Sequence, residues 1–214
     1  MRRHKEPEVR KNELLNAAQR LFVEKGYAKT TVTDILNVHG LSKGVFYYYF
    51  KSKEEVMDAI IQRIVDEIVD NAKKIVANPN MTPPQKILAI LMGQGQTEEM
   101  IKDKENMTHQ FHEVQNAEMH QKSLVLSIKH LAPVMSEVLS ENNSKNNSKN
   151  TFSTNYPQET VALLLAAGQV IFDEGLFQRS EAESARYAIA FIEMMEKTLS
   201  VPIGYFNELK KKFA

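Results

Sequence analysis

"LFVEKGYAKTTVTDILNVHGLSKGVFYYYFKSKEEV", residues 21–56, carries the densest structural punctuation in the chain. Gly26 is a stop signal for the helix ahead of it. Thr31 is a good N-cap, and Asp34 three residues on suits the positive end of a helix. Val32, Ile35, Leu36 and Val38 supply that helix's buried side. Gly40 breaks it, and Ser42 caps the next helix, which carries Phe46 and Phe50 one turn apart. Two short helices joined by a tight glycine-containing turn make a helix-turn-helix. Tyr47, Tyr48 and Tyr49 cannot all face one core, because successive helical residues point about 100° apart. At least one phenol looks outward, toward solvent or a partner.

The flanks are also helical. Upstream, in "ELLNAAQRLF", Leu14, Ala18, Leu21 and Phe22 share one face. Downstream, Ser52 and Glu55 fit an S-x-x-E capping box. Met57, Ile60, Ile61, Ile64, Ile68 and Ala72 then form a sustained stripe, predicting a helix from about Lys53 to Val76. At 1.5 Å per residue it is about 36 Å long, enough to link a head to a body. "NPNMTPPQ" ends it. A helix over 85–92 and two or three more over 97–141 are expected. The polar, partly repetitive tract 142–154 lacks aliphatic residues and reads as a surface loop. "QETVALLLAAGQVIFDEGLF" and "SEAESARYAIAFIEMMEKTL" read as two helices with apolar residues on more than one face, either deep in a core or shared with a second subunit. Pro202 closes the second, and "YFNELKKKF" predicts a last short helix. The expected fold is all-α: a three-helix head over 1–52 joined by a long helix to a helical body over 53–214.

The 214 residues are 43% hydrophobic and 25% charged, ordinary globular values. The net charge is zero, but its distribution is not even. Residues 1–53 hold 11 Lys/Arg against 5 Asp/Glu, a net of +6, and the remainder has a net of −6. A basic front on an acidic body suggests that one end meets a polyanion. There is no cysteine, hence no disulfide frame and no thiolate site, which fits a reducing cytoplasm. No run of 18 apolar residues exists to span a bilayer. The N-terminus, "MRRHKEPEVRKNE", lacks the apolar region of a secretory signal. No strand pattern, phosphate loop or nucleotide fingerprint points to a cofactor or to catalytic residues. The nearest catalytic-looking string, "HEVQN" at 112–116, lacks the second histidine of H-E-x-x-H. His109, Glu113 and His120 could still share a helical face and hold zinc, which keeps a metal-binding helical protein as a competing reading.

Residues 21–56 closely resemble the DNA-binding domain of TetR-family transcriptional repressors of the TetR/AcrR type. The resemblance rests on Gly26-Tyr27, Thr30-Thr31-Val32 before "DIL", Gly40, "LSKG", "FYYYF" and "KSKEE". It covers about residues 10–60; beyond that only length and helical layout match. Phe46 and Phe50 should pin the recognition helix to its head. That leaves Ser42, Lys43, Gly44, Val45, Tyr47 and Tyr48 on outer and flanking surfaces. Gly44 lets backbone approach DNA, Lys43 can reach phosphate or a guanine edge, and Val45 suits a thymine methyl. Outward phenols of Tyr47 and Tyr48 can bond phosphates; Tyr49 is ambiguous. The resemblance further implies phosphate contacts from Thr31, Thr33 and Lys53 near helix starts. Val45 and Tyr49 depart from the residues common in the family, which bears on the operator read.

The resemblance also implies a homodimer on double-stranded DNA, its last two long helices pairing with their copies. Val161, Leu164, Leu165, Gly168, Ile171, Ile189, Ile192 and Met195 are the expected interface. It implies a small-molecule cavity in the body whose filling changes the separation of the two heads, which must match major grooves about 34–36 Å apart. Methionines over 81–135 suggest a pliable apolar lining, with Phe111, His112 and Met119 as candidate ligand contacts. The expected function is ligand-released repression. A DNA-binding regulator without an inducer, whether an activator or an architectural protein, is the alternative within the same class.

Overall fold

The computed structural model describes residues 6–91, 95, 117–141, 152–173 and 175–211. Every regular element among them is a helix: α1 (Pro7–Lys25), α2 (Val32–His39), α3 (Lys43–Tyr49), α4 (Lys53–Val76), α5 (Pro83–Leu91), α6 (Ala117–Glu141), α7 (Pro157–Ile171), α8 (Glu181–Thr198) and α9 (Asn207–Lys210). None of the described helices is long and apolar enough to cross a membrane. The chain divides into two compact units, with divisions along the chain inside α4, between Val65 and Asp66, and inside α6, between Ser123 and Leu124. Among the described residues, the first unit holds 6–65 and 117–123, and the second holds the rest.

In the first unit α1 packs on α2 and α2 on α3. The turns are set by local chemistry. Gly26 ends α1 at φ 87° and ψ 149°, a region open essentially to glycine alone. Gly40 ends α2 in the left-handed conformation, at φ 58°. Thr30 turns inward and donates to the carbonyls of Leu21 and Gly26, at 3.2 and 2.8 Å, closing the α1–α2 corner. Thr31 and Asp34 form a reciprocal capping box. At the start of α4 the box is half-formed: Glu55 donates its amide to Ser52 Oγ, but its carboxylate accepts from the amide of Lys51 rather than Ser52. The core of this unit is Leu14, Ala18, Phe22, Ile35, Phe46, Val56, Met57 and Ile60, all inaccessible to solvent. Burying each large apolar side chain stabilises by about 1.5–3 kcal/mol before conformational entropy is counted.

The second unit buries Ile87 of α5, Met135, Val138 and Leu139 of α6, Val161 and Leu165 of α7, and Ile192 and Met195 of α8. Helix α5 starts at Pro83, two residues before the predicted start. The Thr82 amide and hydroxyl both donate to Gln85 Oε1, and proline at a first helical position gives up no needed donor. The predicted loop 142–154 is too long at its C-terminal end. Residues 142–151 lie outside the described residues, but Phe152 is fully buried edge-on to Tyr205, at 5.8 Å. Ser153 donates its amide to the Leu199 carbonyl, and the Thr154 and Thr160 hydroxyls are 2.8 Å apart. An aromatic anchor outweighs the tract's polar composition there.

The C-terminal segment is held by a buried carboxylate. Glu196 accepts from the amides of Gly204 and Phe206, at 3.1 and 3.0 Å, and from Lys210 Nζ at 3.1 Å. Burial alone would raise its pKa, but these donors outweigh burial and lower it.

Candidate nucleic-acid interface

The recognition element is α3. Phe46 and Phe50 are buried, 6.0 Å apart, and turn the rest of the helix outward. Tyr48 is 75% exposed and Tyr47 58%. Lys43 and Gly44 are exposed, Val45 is half-buried, and Tyr49 is half-buried edge-on to Tyr48 at 4.8 Å. Ser42 holds the N-cap position with extended backbone, yet its side chain makes no capping bond. A methyl group at Gly44 would touch nothing but Ser42 Oγ, at 3.9 Å. Nothing inside the protein therefore requires glycine there, although glycine in a helix costs about 0.5–1 kcal/mol relative to alanine.

Of the three helix-start residues, Thr31 and Thr33 are exposed and Lys53 is half-buried, and Thr31 and Lys53 already have partners within the chain. The Thr31 hydroxyl donates to Asp34 Oδ2 at 2.7 Å and accepts from the Asp34 amide. Asp34 also pairs with Lys25 at 2.6 Å. Hydrogen bonds from Lys25 and Thr31 hold its carboxyl well below the usual carboxylate range. The start of α2 thus already has its own anion, and a phosphate would have to displace it. Lys53 is likewise turned inward. Its ammonium donates to the Tyr27 carbonyl at 2.8 Å and stands 4.1 Å above the Tyr27 ring. Burial lowers its pKa, with Glu54 opposing.

Sequence reading missed the residues that hold this head to α4. Tyr27, 7% exposed, donates its hydroxyl to Glu54 Oε1 at 3.2 Å while its carbonyl takes Lys53. Burial, then Glu54, raises the pKa of its phenol. Further along α4, Arg63 donates to Asn16 Oδ1 at 2.7 Å and to Gln19 Oε1, both on α1. No local pattern flags these pairs, because their partners are more than 25 residues apart in sequence.

In the second unit, Ile87, Leu91, Met135, Leu139, Val161, Leu164, Leu165, Phe191, Met195 and Leu199 line a wholly apolar, partly open cavity of about 30 Å³. The expected contacts are not among its lining. Met119 is half-buried in the first unit, and Phe111 and His112 lie outside the described residues, as do His109 and Glu113 of the metal reading.

The expected dimer interface needs correction. Val161, Leu165, Ile192 and Met195 are buried in the chain's own core and cannot meet a second copy. Gly168 faces Phe191 of the same chain, whose ring would lie 3.3 Å from an added Cβ. Leu164 lines the cavity, while Ile171 and Ile189 are half-buried. Beyond Ala182 near the start of α8, the outward apolar residues are Leu163 and Val170 on α7, and Tyr187, Ala190 and Met194 on α8. Their spacings of three, four and seven place each set on one helical face. That periodicity was present in the sequence, but helices apolar on several sides offer more than one such stripe.

A family model described as bacterial regulatory proteins, tetR family, matches residues 14–60. A second, tetracyclin repressor-like, C-terminal domain, matches 99–194. Among curated proteins, the chain is 39% identical over 69 residues to the HTH-type transcriptional repressor KstR2 of Rhodococcus jostii, covering 32% of this chain and 34% of that protein. It is 32% identical over 84 residues to an uncharacterized HTH-type transcriptional regulator, YerO, of Bacillus subtilis, covering 39% and 29%. The chain spans about a third of the length of these curated relatives. Among solved structures, a TetR-family transcriptional regulator from Mesorhizobium loti superposes with a TM-score of 0.56 at 20% identity, over 91% of this chain and 98% of that one. SmeT, a repressor of a Stenotrophomonas maltophilia multidrug efflux pump, was solved in complex with triclosan and superposes with a TM-score of 0.55 at 18% identity, over 92% and 94%. These likenesses establish a common fold.

Proposed function

Because the chain belongs to the TetR family of bacterial regulatory proteins, we propose that it is a dimeric, cytoplasmic transcriptional repressor released from its DNA operator by a small apolar ligand. The observation that carries this reading is the outer face of α3. Lys43, Tyr47 and Tyr48 stand exposed around a glycine that no internal contact requires. Such a face lets backbone approach a groove, while an ammonium and two phenols reach phosphates and base edges. Ser42, Val45 and Thr33 complete it. Thr31 and Lys53 serve it indirectly, by capping α2 and holding the start of α4. Residues 1–52 read DNA in this assignment, and 53–214 carry dimerisation and ligand response.

Dimerisation is assigned to the outward stripe of Leu163, Val170, Tyr187, Ala190 and Met194. The ligand is assigned to the apolar cavity, a site whose lining offers hydrocarbon, Met135, Met195 and one ring, Phe191. At about 30 Å³ it is roughly a tenth of the smallest drug-sized pocket, about 300 Å³. A ligand must therefore bind a more open form, with the inner faces of α7 and α8 moved from their neighbours. It releases DNA only if the DNA-bound form disfavours that opening, since equal affinity for both forms shifts nothing.

The test is selection of bound duplexes from random DNA, followed by binding titrations against salt. The expected result is a palindrome whose half-sites lie about one helical turn apart, with affinity falling steeply as salt rises. Failure to enrich any sequence would overturn the reading. Placed between a promoter and a reporter, the selected duplex should lower expression when the protein is present.

A further inference from the structure

We propose that Arg63 is a positioning residue for operator recognition: by holding Asn16 and Gln19 of α1, it fixes the angle at which α4 carries the DNA-reading head. The inference rests on the repressor reading above. Its basis is the geometry of one planar fork. Arg63 Nη1 donates to Asn16 Oδ1 at 2.7 Å and Nη2 donates to Gln19 Oε1. Asn16 and Gln19 are three residues apart, so one guanidinium spans about one turn of α1. Gln19 is 8% exposed, which places half of this contact out of water, where a lost partner is costly.

Among the described contacts, the Arg63 fork is one tie, and another joins Lys53 and Glu54 to Tyr27 at the start of α4. Arg63 lies ten residues further on, about 15 Å along the helix. One tie leaves a pivot, whereas two ties at different heights on one rod remove the tilt. Other buried side chains on these two helices in this unit are apolar, among them Leu15, Ala18 and Phe22 on α1 and Val56, Ile60 and Ile61 on α4. Apolar burial is non-directional and sets proximity, while hydrogen bonds with fixed acceptors set register. Because α1 packs on α2 and α2 on α3, the angle of α1 is inherited by the recognition face.

The angle matters only when two heads must fit one duplex. A single half-site can be met by a head at any tilt. Two half-sites one helical turn apart accept only a narrow range. Loss of the fork should therefore cost affinity for a full operator while sparing a half-site.

The test compares the wild-type protein with Arg63→Met, which keeps the stem's packing, and Arg63→Lys, whose single ammonium lacks the planar fork. The probes are the palindromic duplex selected by the wild-type protein, its isolated half-site, and palindromes with the spacer one base pair longer or shorter. For Arg63→Met, affinity for the palindrome should fall about tenfold, half-site affinity should change less than twofold, and discrimination between spacers should shrink. Arg63→Lys should lie between. An equal loss on palindrome and half-site, or no loss on either, would overturn the proposal.

A second measurement needs no DNA. The chain has no cysteine, so spin labels can be placed at Arg20→Cys on α1 and Asp70→Cys on α4. In dimers diluted with unlabelled protein, the distance distribution should broaden in Arg63→Met. An unchanged distribution would overturn the orienting role whatever the DNA result. Failure of the wild-type protein to select any duplex would instead overturn the repressor reading and the operator part of this inference, and the distribution would still decide whether Arg63 orients α1.

Discussion

Tyr48 on α3 and Leu163 on α7 are almost equally exposed, at 75% and 72%. Exposure of a large side chain is the same geometric fact in both places, yet the surroundings differ in kind. Around Tyr48 stand a second outward phenol, Lys43 and a bare backbone at Gly44. Phenols and ammonium groups are suited to a wet, negatively charged partner. On the same two helices, Val170 of α7 and Tyr187 and Met194 of α8 are also exposed, a mostly hydrocarbon set. Hydrocarbon is stabilised by meeting hydrocarbon, and a second copy of the chain supplies it. The chemistry of the neighbours, rather than the degree of exposure, separates a DNA face from a dimer face.

That contrast breaks most readily at the dimer face. Leu163→Glu combined with Met194→Glu should give folded monomers in sedimentation velocity. Affinity for a two-half-site duplex should fall more than about 100-fold, or about 2.7 kcal/mol. Ile192→Glu, on the inner side of α8, should instead unfold the second unit, because it buries an unpaired charge. A soluble double variant that remains dimeric would show that the stripe faces solvent.

At the DNA face the effects should be smaller and should leave assembly untouched. Lys43→Ala and Tyr48→Phe should each weaken operator binding about tenfold, or about 1.4 kcal/mol. Lys43→Ala should also reduce the salt slope by about one. Sedimentation should report unaltered dimers. If either variant dissociated the protein instead, the two faces would not be independent.

The smallest effect should have opposite signs in two measurements. Gly44→Ala should raise thermal stability by about 0.5 kcal/mol, since nothing in the protein crowds the new methyl. Operator affinity should fall, because that methyl stands where backbone approaches DNA. A variant both less stable and equally tight would mean that glycine is there for the fold.

The two regions were also unequally legible. In the head, each boundary has a local cause: Gly26 and Gly40 in backbone regions that favour glycine, the Thr31–Asp34 box, and Phe46 and Phe50 on one face. These signals span four residues or fewer, so the sequence alone determined the helix-turn-helix, the span of α4 and the outward turn of Tyr47 and Tyr48. Local reading failed where a partner is distant. The resemblance offered Thr31 and Lys53 to phosphate, and local reading could not show that Thr31 is engaged with Asp34, itself paired with Lys25, or that the Tyr27 carbonyl takes the Lys53 ammonium. Local reading passed over Arg63, whose partners lie 44 and 47 residues away.

In α7 and α8 the pattern itself was ambiguous. A helix apolar on several sides has several candidate inner faces, and periodicity ranks them equally. The choice was made by what surrounds each helix: α5 and α6 take Val161, Leu165 and Met195 into a shared apolar site, and Phe191 covers Gly168. Sequence determined that these helices have apolar surface to spare, because composition fixes how much hydrocarbon must leave water. Only tertiary packing decided which side the chain covers itself and which it leaves for another molecule, because that depends on neighbours far away along the chain.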